Sequence, residues 1–351
     1  IGGFMFRHIA VCIFFILPTL GSAKLEKNVI LISVDGLKRA YATDTHFMPN
    51  LTDLAKSGKG SQSASAAIPP RTIPNHTTML NGLNPRTHGM LINDKEAANV
   101  TSNPSIFDIL SSHFGESFEG AAVVAKKKLA YIVSSQGPQS APLSIDGSFV
   151  REFIPIKRDN FVMRQIRNFT GVHPSEQTRD IALEKLADSI PNLLFIHFGN
   201  ADLDGHWGVR FKATIVKSNG GWGGERQRNE LRIIDRAIKA IVEQASVHDP
   251  GLEHTTFIIT SDHGGHKNSH GGIENQDKSK LSIKVLEDVK QLTLDDFHPD
   301  DISIPWIIFG GESDSYRISD HIDQVDTAPT ILDIFGLERP VAFEGQSAFV
   351  N

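Results

Sequence analysis

Cysteine is nearly absent: Cys12 is the one cysteine in 351 residues. It lies in an N-terminal segment that reads as a targeting peptide. No disulfide is therefore expected in the mature chain, although that chain enters an oxidising compartment. Stability must then come from the size of the core and from bound metal. Positive charge is in deficit too. Lys and Arg number 35 against 41 Asp and Glu, a formal net charge of -6. That balance offers no basic footprint for a nucleic-acid backbone, and no duplex binding is expected. An anionic ligand would have to be met locally, by metal ions or a few basic groups. There is no internal repeat, no clear interdomain linker and no run of apolar residues long enough to cross a bilayer; Ile9–Leu17 is closed by Pro18 and falls short. No hydrophobic tail follows Phe349-Val350-Asn351, so neither a transmembrane nor a lipid anchor is expected.

The N-terminal segment is ordered as a secretory signal. Met5 reads as the start, Arg7 and His8 form a short basic region, Ile9–Leu17 is the apolar centre, and Gly21-Ser22-Ala23 is a small-residue cleavage site. The expectation is a signal peptide within residues 1–23, a secreted product, and one domain over 24–351. Sequons begin at Asn50, Asn75, Asn99 and Asn168. Glycosylation is expected among them, except at Asn75, which lies beside the candidate nucleophile discussed below.

The remaining chain has an ordinary globular balance, 40% hydrophobic and 22% charged. Asn28-Val29-Ile30-Leu31-Ile32-Ser33-Val34 is apolar almost throughout, as a central parallel strand covered on both faces must be. Further strands are predicted at 121–125 (followed by Lys126, Lys127 and Lys128), 193–198, 256–259 and 306–309. Helices are predicted at 49–58, 74–80 (opened by Pro74), 105–114, 176–190, 226–247 and 328–335. Alternating strands and helices imply an α/β fold with a mainly parallel sheet. The stretch 144–173 reads as a connecting or capping segment. Asn219-Gly220-Gly221-Trp222-Gly223-Gly224 reads as a mobile loop.

Chemistry-bearing residues gather where predicted strands end. Asp262-His263-Gly264-Gly265-His266 and His270 follow the strand at 256–259. A carboxylate and several imidazoles crowded beyond a strand end suggest a divalent metal site, against the plainer reading of a His-rich polar loop. Asp35, Asp202 and Asp262 each follow a buried strand. In an open parallel sheet, ligands bind beyond the carboxyl ends of the strands, so the three can converge; a lone Asp there is more often a turn or cap residue. In Asp202-Leu203-Asp204-Gly205-His206, an Asp and a His four apart, joined through a Gly turn, can face one ion, with Asp204 in a plain turn role. Thr72, in Pro70-Arg71-Thr72-Ile73-Pro74-Asn75-His76, stands just ahead of a predicted helix, at the positive end of its dipole. It is a candidate nucleophile if metal activates it, and otherwise an N-cap.

These motifs, together with Val34-Asp35-Gly36 and Asn81-Gly82-Leu83-Asn84-Pro85-Arg86-Thr87-His88-Gly89, resemble in order and spacing the nucleotide pyrophosphatase/phosphodiesterase family of the alkaline phosphatase superfamily. The resemblance runs from about Asn28 to about Gly345. It implies an alkaline-phosphatase-like three-layer α/β/α sandwich and two Zn2+ ions. One would be held by Asp35, Thr72, Asp262 and His263; the other by Asp202, His206 and a third histidine. It places Asn93 on a phosphate oxygen and makes Thr72 the nucleophile of a covalent phospho-threonine mechanism. The implied function is a hydrolase cleaving phosphodiester or pyrophosphate bonds, with a nucleotide or other small phosphodiester as substrate.

The chain departs from the family in its third histidine. The animal members carry it far downstream; here His270 is the choice, followed by His266 and His298. Ile73 replaces a frequent Phe, and the Cys-rich extra domains are missing, so a minimal catalytic domain is expected. Trp207, Trp222 and Tyr131 could stack a base or simply pack. The competing readings are a phosphomonoesterase, a phosphoethanolamine- or phosphocholine-type esterase of the same superfamily, and a catalytically silent binding protein that kept the fold.

Overall fold

The apolar stretch at 28–34 has no polar face to offer water, and it forms the middle of the sheet. The computed structural model describes residues 25–60, 63–93, 103–133, 144–146, 172–206, 221–267, 269–271 and 291–350. In chain order its strands are β1 (Asn28–Val34), β2 (Lys59–Gly60), β3 (Ser63–Ser65), β4 (Gly120–Val124), β5 (Ser144–Asp146), β6 (Leu193–Phe198), β7 (Thr255–Thr260), β8 (Trp306–Gly310), β9 (Arg317–Ile318), β10 (His321–Asp323) and β11 (Phe349–Val350). Among the described residues, one sheet of seven strands runs in the order β2-β8-β7-β1-β6-β4-β5. β7, β1, β6, β4 and β5 are parallel, while β8 and β2 close one edge antiparallel.

Side chains alternate between the two faces with a period of two. Val29 and Leu31 join the core under the helices Thr72–Asn81, Ile106–Phe114 and Thr327–Ile334. Ile30, Ile32 and Val34 join the opposite core, under Pro49–Ser57, Ser175–Lys185 and Glu225–His248. The result is the expected three-layer α/β/α sandwich. β1 is central because both of its faces are apolar; Val29 to Val34 are fully buried.

The helix expected from Pro74 begins two residues earlier, at Thr72. Pro74 lacks an amide hydrogen, but amides in a first turn have no intrahelical acceptor, so proline is tolerated there. Arg71 is the N-cap residue and makes no side-chain cap bond. Thr72 is thus inside the first turn and is not the N-cap.

Two of the four sequons are described. The Asn75 side chain is fully buried, and its Nδ2 donates to the carbonyls of Pro69 (2.8 Å) and Ala67 (3.1 Å). Asn50 Nδ2 donates to Asp235 Oδ2 at 2.6 Å. Both amides are engaged within the fold. The signal segment at 1–23, the sequons at Asn99 and Asn168, Trp207 and nearly all of the 144–173 stretch lie outside the described residues. Among the described residues, no helix is long and apolar enough to cross a membrane.

Asp235 clamps two helices on one face of the sheet. From the middle of Glu225–His248, nearly fully buried, it accepts from the backbone amides of Asn50 (3.2 Å) and Leu51 (2.8 Å) at the open N-terminus of Pro49–Ser57. Asp235→Ala leaves these donors without an acceptor in the interior. It is expected to cost about 2–4 kcal/mol of stability, read as a lower urea midpoint at unchanged slope.

Candidate active site

The parallel strands end on one side of the sheet, and three of them deliver carboxylates there. Asp35 directly follows β1, Asp262 lies two residues beyond β7, and Asp202 sits on the short helix Asn200–Gly205 after β6. Asp35 and Asp262 are fully buried and Asp202 is 6% exposed. Asp202 and His206 face each other because they are one helical turn apart, not through the expected glycine turn; His206 is the C-cap of that helix. Gly205 has another reason: a Cβ there would meet the Trp222 indole at 2.8 Å.

Two overlapping groups of ligand-type atoms result. Asp35, Asp262 and His263 bring one atom each within 4.8 Å of the others, and so do Asp202, His263 and His270. His263 Nε2 is 3.2 Å from Asp262 Oδ2 and 3.5 Å from Asp35 Oδ1. Asp202 Oδ1 is 3.1 Å from His206 Nε2 and 3.3 Å from His270 Nε2. The rings of His263 and His270 stack at 3.6 Å. His266 and His298 do not join. They stack on each other at 4.0 Å, His266 Nδ1 bonds Asp301 Oδ1 at 2.7 Å, and His298 Nδ1 accepts from the Asp300 amide.

The imidazoles are set up as lone-pair donors. Burial depresses His270 to about 4 and lowers His263, so both are neutral near pH 7. Each neutral ring donates through Nδ1 to a carbonyl, His263 to Gly264 (2.8 Å) and His270 to Pro70 (3.0 Å). The Nε2 lone pairs then point at carboxylates, an arrangement that repels unless a cation lies between them. Of the buried side-chain atoms that lack a hydrogen-bond partner among the described residues, four belong to these groups: Asp35 Oδ1, Asp202 Oδ1, Asp262 Oδ2 and His263 Nε2. Buried polar atoms are normally satisfied, and these four converge on the two groups. The donor set, carboxylate oxygen and imidazole nitrogen, suits zinc.

Thr72, 1% exposed, lines a cleft of about 270 Å³ with Asn93, Lys126, Lys128, His206 and His270. Asn93 Oδ1 accepts from the Ile73 amide at 2.8 Å, so its Nδ2 is the donor end that remains. His76 holds the first turn from below: its Nδ1 donates to the Thr72 carbonyl at 2.8 Å, and its Nε2 contacts Ser33 Oγ at 2.9 Å. The Arg71 guanidinium donates through Nε and Nη2 to the Gly271 carbonyl, tying the strand-to-helix turn before Thr72 to the loop that follows His270. Trp222 is not an open stacking surface. Its indole donates to the Gly36 carbonyl at 2.9 Å and meets His206 edge-on. Within the stretch expected to be a mobile loop, the Trp222 amide bonds Lys267 O at 2.7 Å; Asn219 and Gly220 lie outside the described residues.

Sequence reasoning missed three supports. Lys126, two residues beyond β4, places Nζ 2.6 Å from both Asp35 Oδ2 and Asp202 Oδ2. Burial pushes Asp35 and Asp202 up, but Lys126 holds both well below the usual carboxylate range, with His197 helping at Asp35 and His206 at Asp202. Lys128 is lowered to about 8 by burial and by Lys126. His197, within β6, contacts Asp35 Oδ2 through Nε2 at 3.0 Å. Asp301, fully buried, accepts from the Gly271 amide through Oδ2 (2.9 Å) and from the Gly264 amide through its carbonyl (2.8 Å), bracing both ends of the loop that carries His263 and His270. The strand-end rule that found the aspartates would also have found Lys126. A histidine inside the apolar run of β6 was a signal for His197; for Asp301 there was none.

Comparison with known proteins follows this geometry. The sequence model of the type I phosphodiesterase / nucleotide pyrophosphatase family matches residues 29–279. Rat ectonucleotide pyrophosphatase/phosphodiesterase family member 3 is 25% identical over 260 residues, 71% of this chain and 26% of that protein. Venom phosphodiesterase 2 of Crotalus adamanteus is 33% identical over 246 residues, 68% of this chain and 27% of that protein. The chain thus matches about a quarter of the length of these relatives. Solved structures share the fold. They include a protein of the alkaline phosphatase superfamily from Vibrio parahaemolyticus (TM-score 0.56, 14% identity, 93% of this chain and 70% of that one). A 2-O GAG sulfatase is similar (TM-score 0.57, 14% identity, 92% and 73%).

Burial, joined by the nearby Asp35, raises the Asp262 carboxyl from 3.8 to about 7. A proton held by the folded but not the unfolded chain stabilises the fold, so this contribution is lost as pH rises from about 4 to 7. Divalent metal needs the ionised carboxylate and competes with that proton. Zinc is therefore expected to raise the melting temperature more at pH 7.5 than at pH 5.5. An equal gain at both pH values, measured by scanning fluorimetry, would count against this assignment.

Proposed function

The chain belongs to the type I phosphodiesterase/nucleotide pyrophosphatase family, and from that membership we propose that it is a two-zinc hydrolase of phosphodiester or pyrophosphate bonds, acting through a covalent phospho-threonine at Thr72. The observation that carries this reading is the pair of ligand groups sharing His263, with four orphaned buried atoms turned into them beside Thr72. On this reading Asp35, Thr72, Asp262 and His263 hold one ion, and Asp202, His206 and His270 the other. The third histidine is His270, because its Nε2 faces Asp202 while His266 and His298 are engaged around Asp301. When bound, the two ions supply Lewis acidity that lowers the pKa of hydroxyl and water and offsets phosphoryl charge.

The protein's own groups do the positioning. The first turn of Thr72–Asn81 directs the positive end of its dipole toward the negative charge that develops at the Thr72 oxygen. Asn93, anchored through Oδ1, offers Nδ2 to a non-bridging phosphoryl oxygen. Thr72 gives up its hydroxyl proton to solvent, and Oγ1 forms a bond to phosphorus as the bond to the leaving oxygen breaks and that oxygen departs. Water then attacks phosphorus, the Thr72 ester bond breaks, and the hydroxyl takes back a proton. A small phosphodiester or nucleotide fits a cleft of about 270 Å³ whose basic wall includes Lys126 and Lys128. The segment at 5–23 supports export, and residues 24–351 are read as one catalytic domain.

The test is hydrolysis of the nitrophenyl ester of thymidine monophosphate beside nitrophenyl phosphate, with zinc. Diester preference is expected, with Thr72→Ala losing about 10³-fold or more in kcat. Monoester preference would move the protein to the phosphatase branch. Bound zinc without turnover of either ester would favour the binding-protein reading. Metal analysis adds an independent check: His270→Ala is expected to lose one zinc, and His266→Ala to keep both.

A further inference from the structure

Lys126 stands at the same offset from β4 as Asp262 does from β7, two residues past the strand. One parallel strand end thus supplies a cation where the ends of β1, β6 and β7 in the same sheet supply carboxylates. The ammonium is 2.6 Å from Asp35 Oδ2 and 2.6 Å from Asp202 Oδ2. The other oxygen of each carboxylate, Oδ1, faces the imidazoles: Asp35 Oδ1 toward His263, Asp202 Oδ1 toward His206 and His270. The two aspartates belong to different ligand groups.

We propose that Lys126 is a shared positioning residue: it occupies Oδ2 of both aspartates, leaves Oδ1 of each to a divalent cation, and lowers the metal affinity of both groups together. This rests on the two-metal reading above. Two effects oppose each other. Fixing the carboxylates favours metal, and hydrogen-bond partners of metal ligands typically change affinity about 10–100-fold. Against that, a buried ammonium on the same carboxylate repels a divalent cation at short range, where the interior screens weakly. Lys126 is almost fully buried, at 7% exposure, so water does little to damp that repulsion. Charge outweighs orientation here.

The experiment uses the full chain purified with zinc. Metal content is measured first, then zinc affinity by competition with a chromophoric chelator, for wild type, Lys126→Met and Lys126→Arg. Met removes the charge and is expected to bind zinc about tenfold tighter or more, while Arg, which keeps it, stays within about threefold of wild type. Equal or weaker binding by Lys126→Met overturns the proposal. If that variant does not survive metal removal, the rate of zinc release from the loaded protein to excess chelator decides: slower release supports the proposal, equal or faster release overturns it. A wild type that holds no zinc overturns the two-metal reading as well. A wild type that holds two, with unchanged affinity in Lys126→Met, overturns the role of Lys126 alone.

Discussion

Three carboxylates buried at one end of a sheet are the constraint from which the rest of this structure follows. An uncompensated buried charge costs several kcal/mol, and Asp35, Asp202 and Asp262 are all in the interior. Parallel strands make the convergence unavoidable, because β1, β6 and β7 all finish on the same side. Part of the compensation is built in. Lys126 bridges two of the carboxylates, and Asp262 Oδ1 accepts from the amides of Gly36 (3.2 Å) and His263 (3.0 Å). What stays uncompensated lies on the oxygens that face histidines, the chemistry of a cation site.

A second layer keeps this arrangement in place. On the sheet face beneath the helix Thr72–Asn81, the last rungs turn from apolar to polar: Ser33 pairs in register with His197 on one side and Thr260 on the other. His76 meets this row edge-on to His197 at 4.9 Å and ties it to the Thr72 carbonyl. Burial depresses His76 to about 4, so it serves as a neutral hydrogen-bonding strut near pH 7. Above the sheet, Trp222 wedges between Gly205 and Gly265, where an added Cβ would come within 2.8 Å and 2.0 Å of the indole. A large rigid side chain against two bare glycines joins the helix carrying Asp202 and His206 to the loop carrying His263 and His270.

Legibility from sequence followed the range of the interactions. The continuous apolarity of 28–34 and the dense apolar run 193–198 were enough to place β1 and β6, because burial on both faces leaves a local signature. The aspartates past strand ends were readable for the same reason. Helix ends were less secure: Pro74 looked like a start, but the first turn tolerates proline, so Thr72 moved inside. The Asp202–His206 spacing was read as a glycine turn, but a separation of four also fits one helical turn, and that is how the two residues are brought together. Asp301 was invisible, since its partners Gly264 and Gly271 are thirty or more positions away and nothing local marks it. Lys126 was visible as a residue but not as a role, because three consecutive lysines give no local sign of which one reaches the carboxylates of Asp35 and Asp202.

The same long-range contacts decide how much chain the centre requires. The family match ends at residue 279, and every residue assigned here to a ligand or nucleophile role lies before it. Yet the loop at 263–271 is held by Asp301, and β7 is covered on its open edge by β8, where Trp306 is 1% exposed and donates to Thr327 Oγ1. The helix Thr72–Asn81 packs in one core with Ile331 and Leu332, and the Gly82 carbonyl accepts from the Glu344 amide at 2.9 Å. Described residues after the matched region thus fix the geometry of two elements, the Thr72 helix turn and the His263–His270 loop, that face each other across the candidate metal groups.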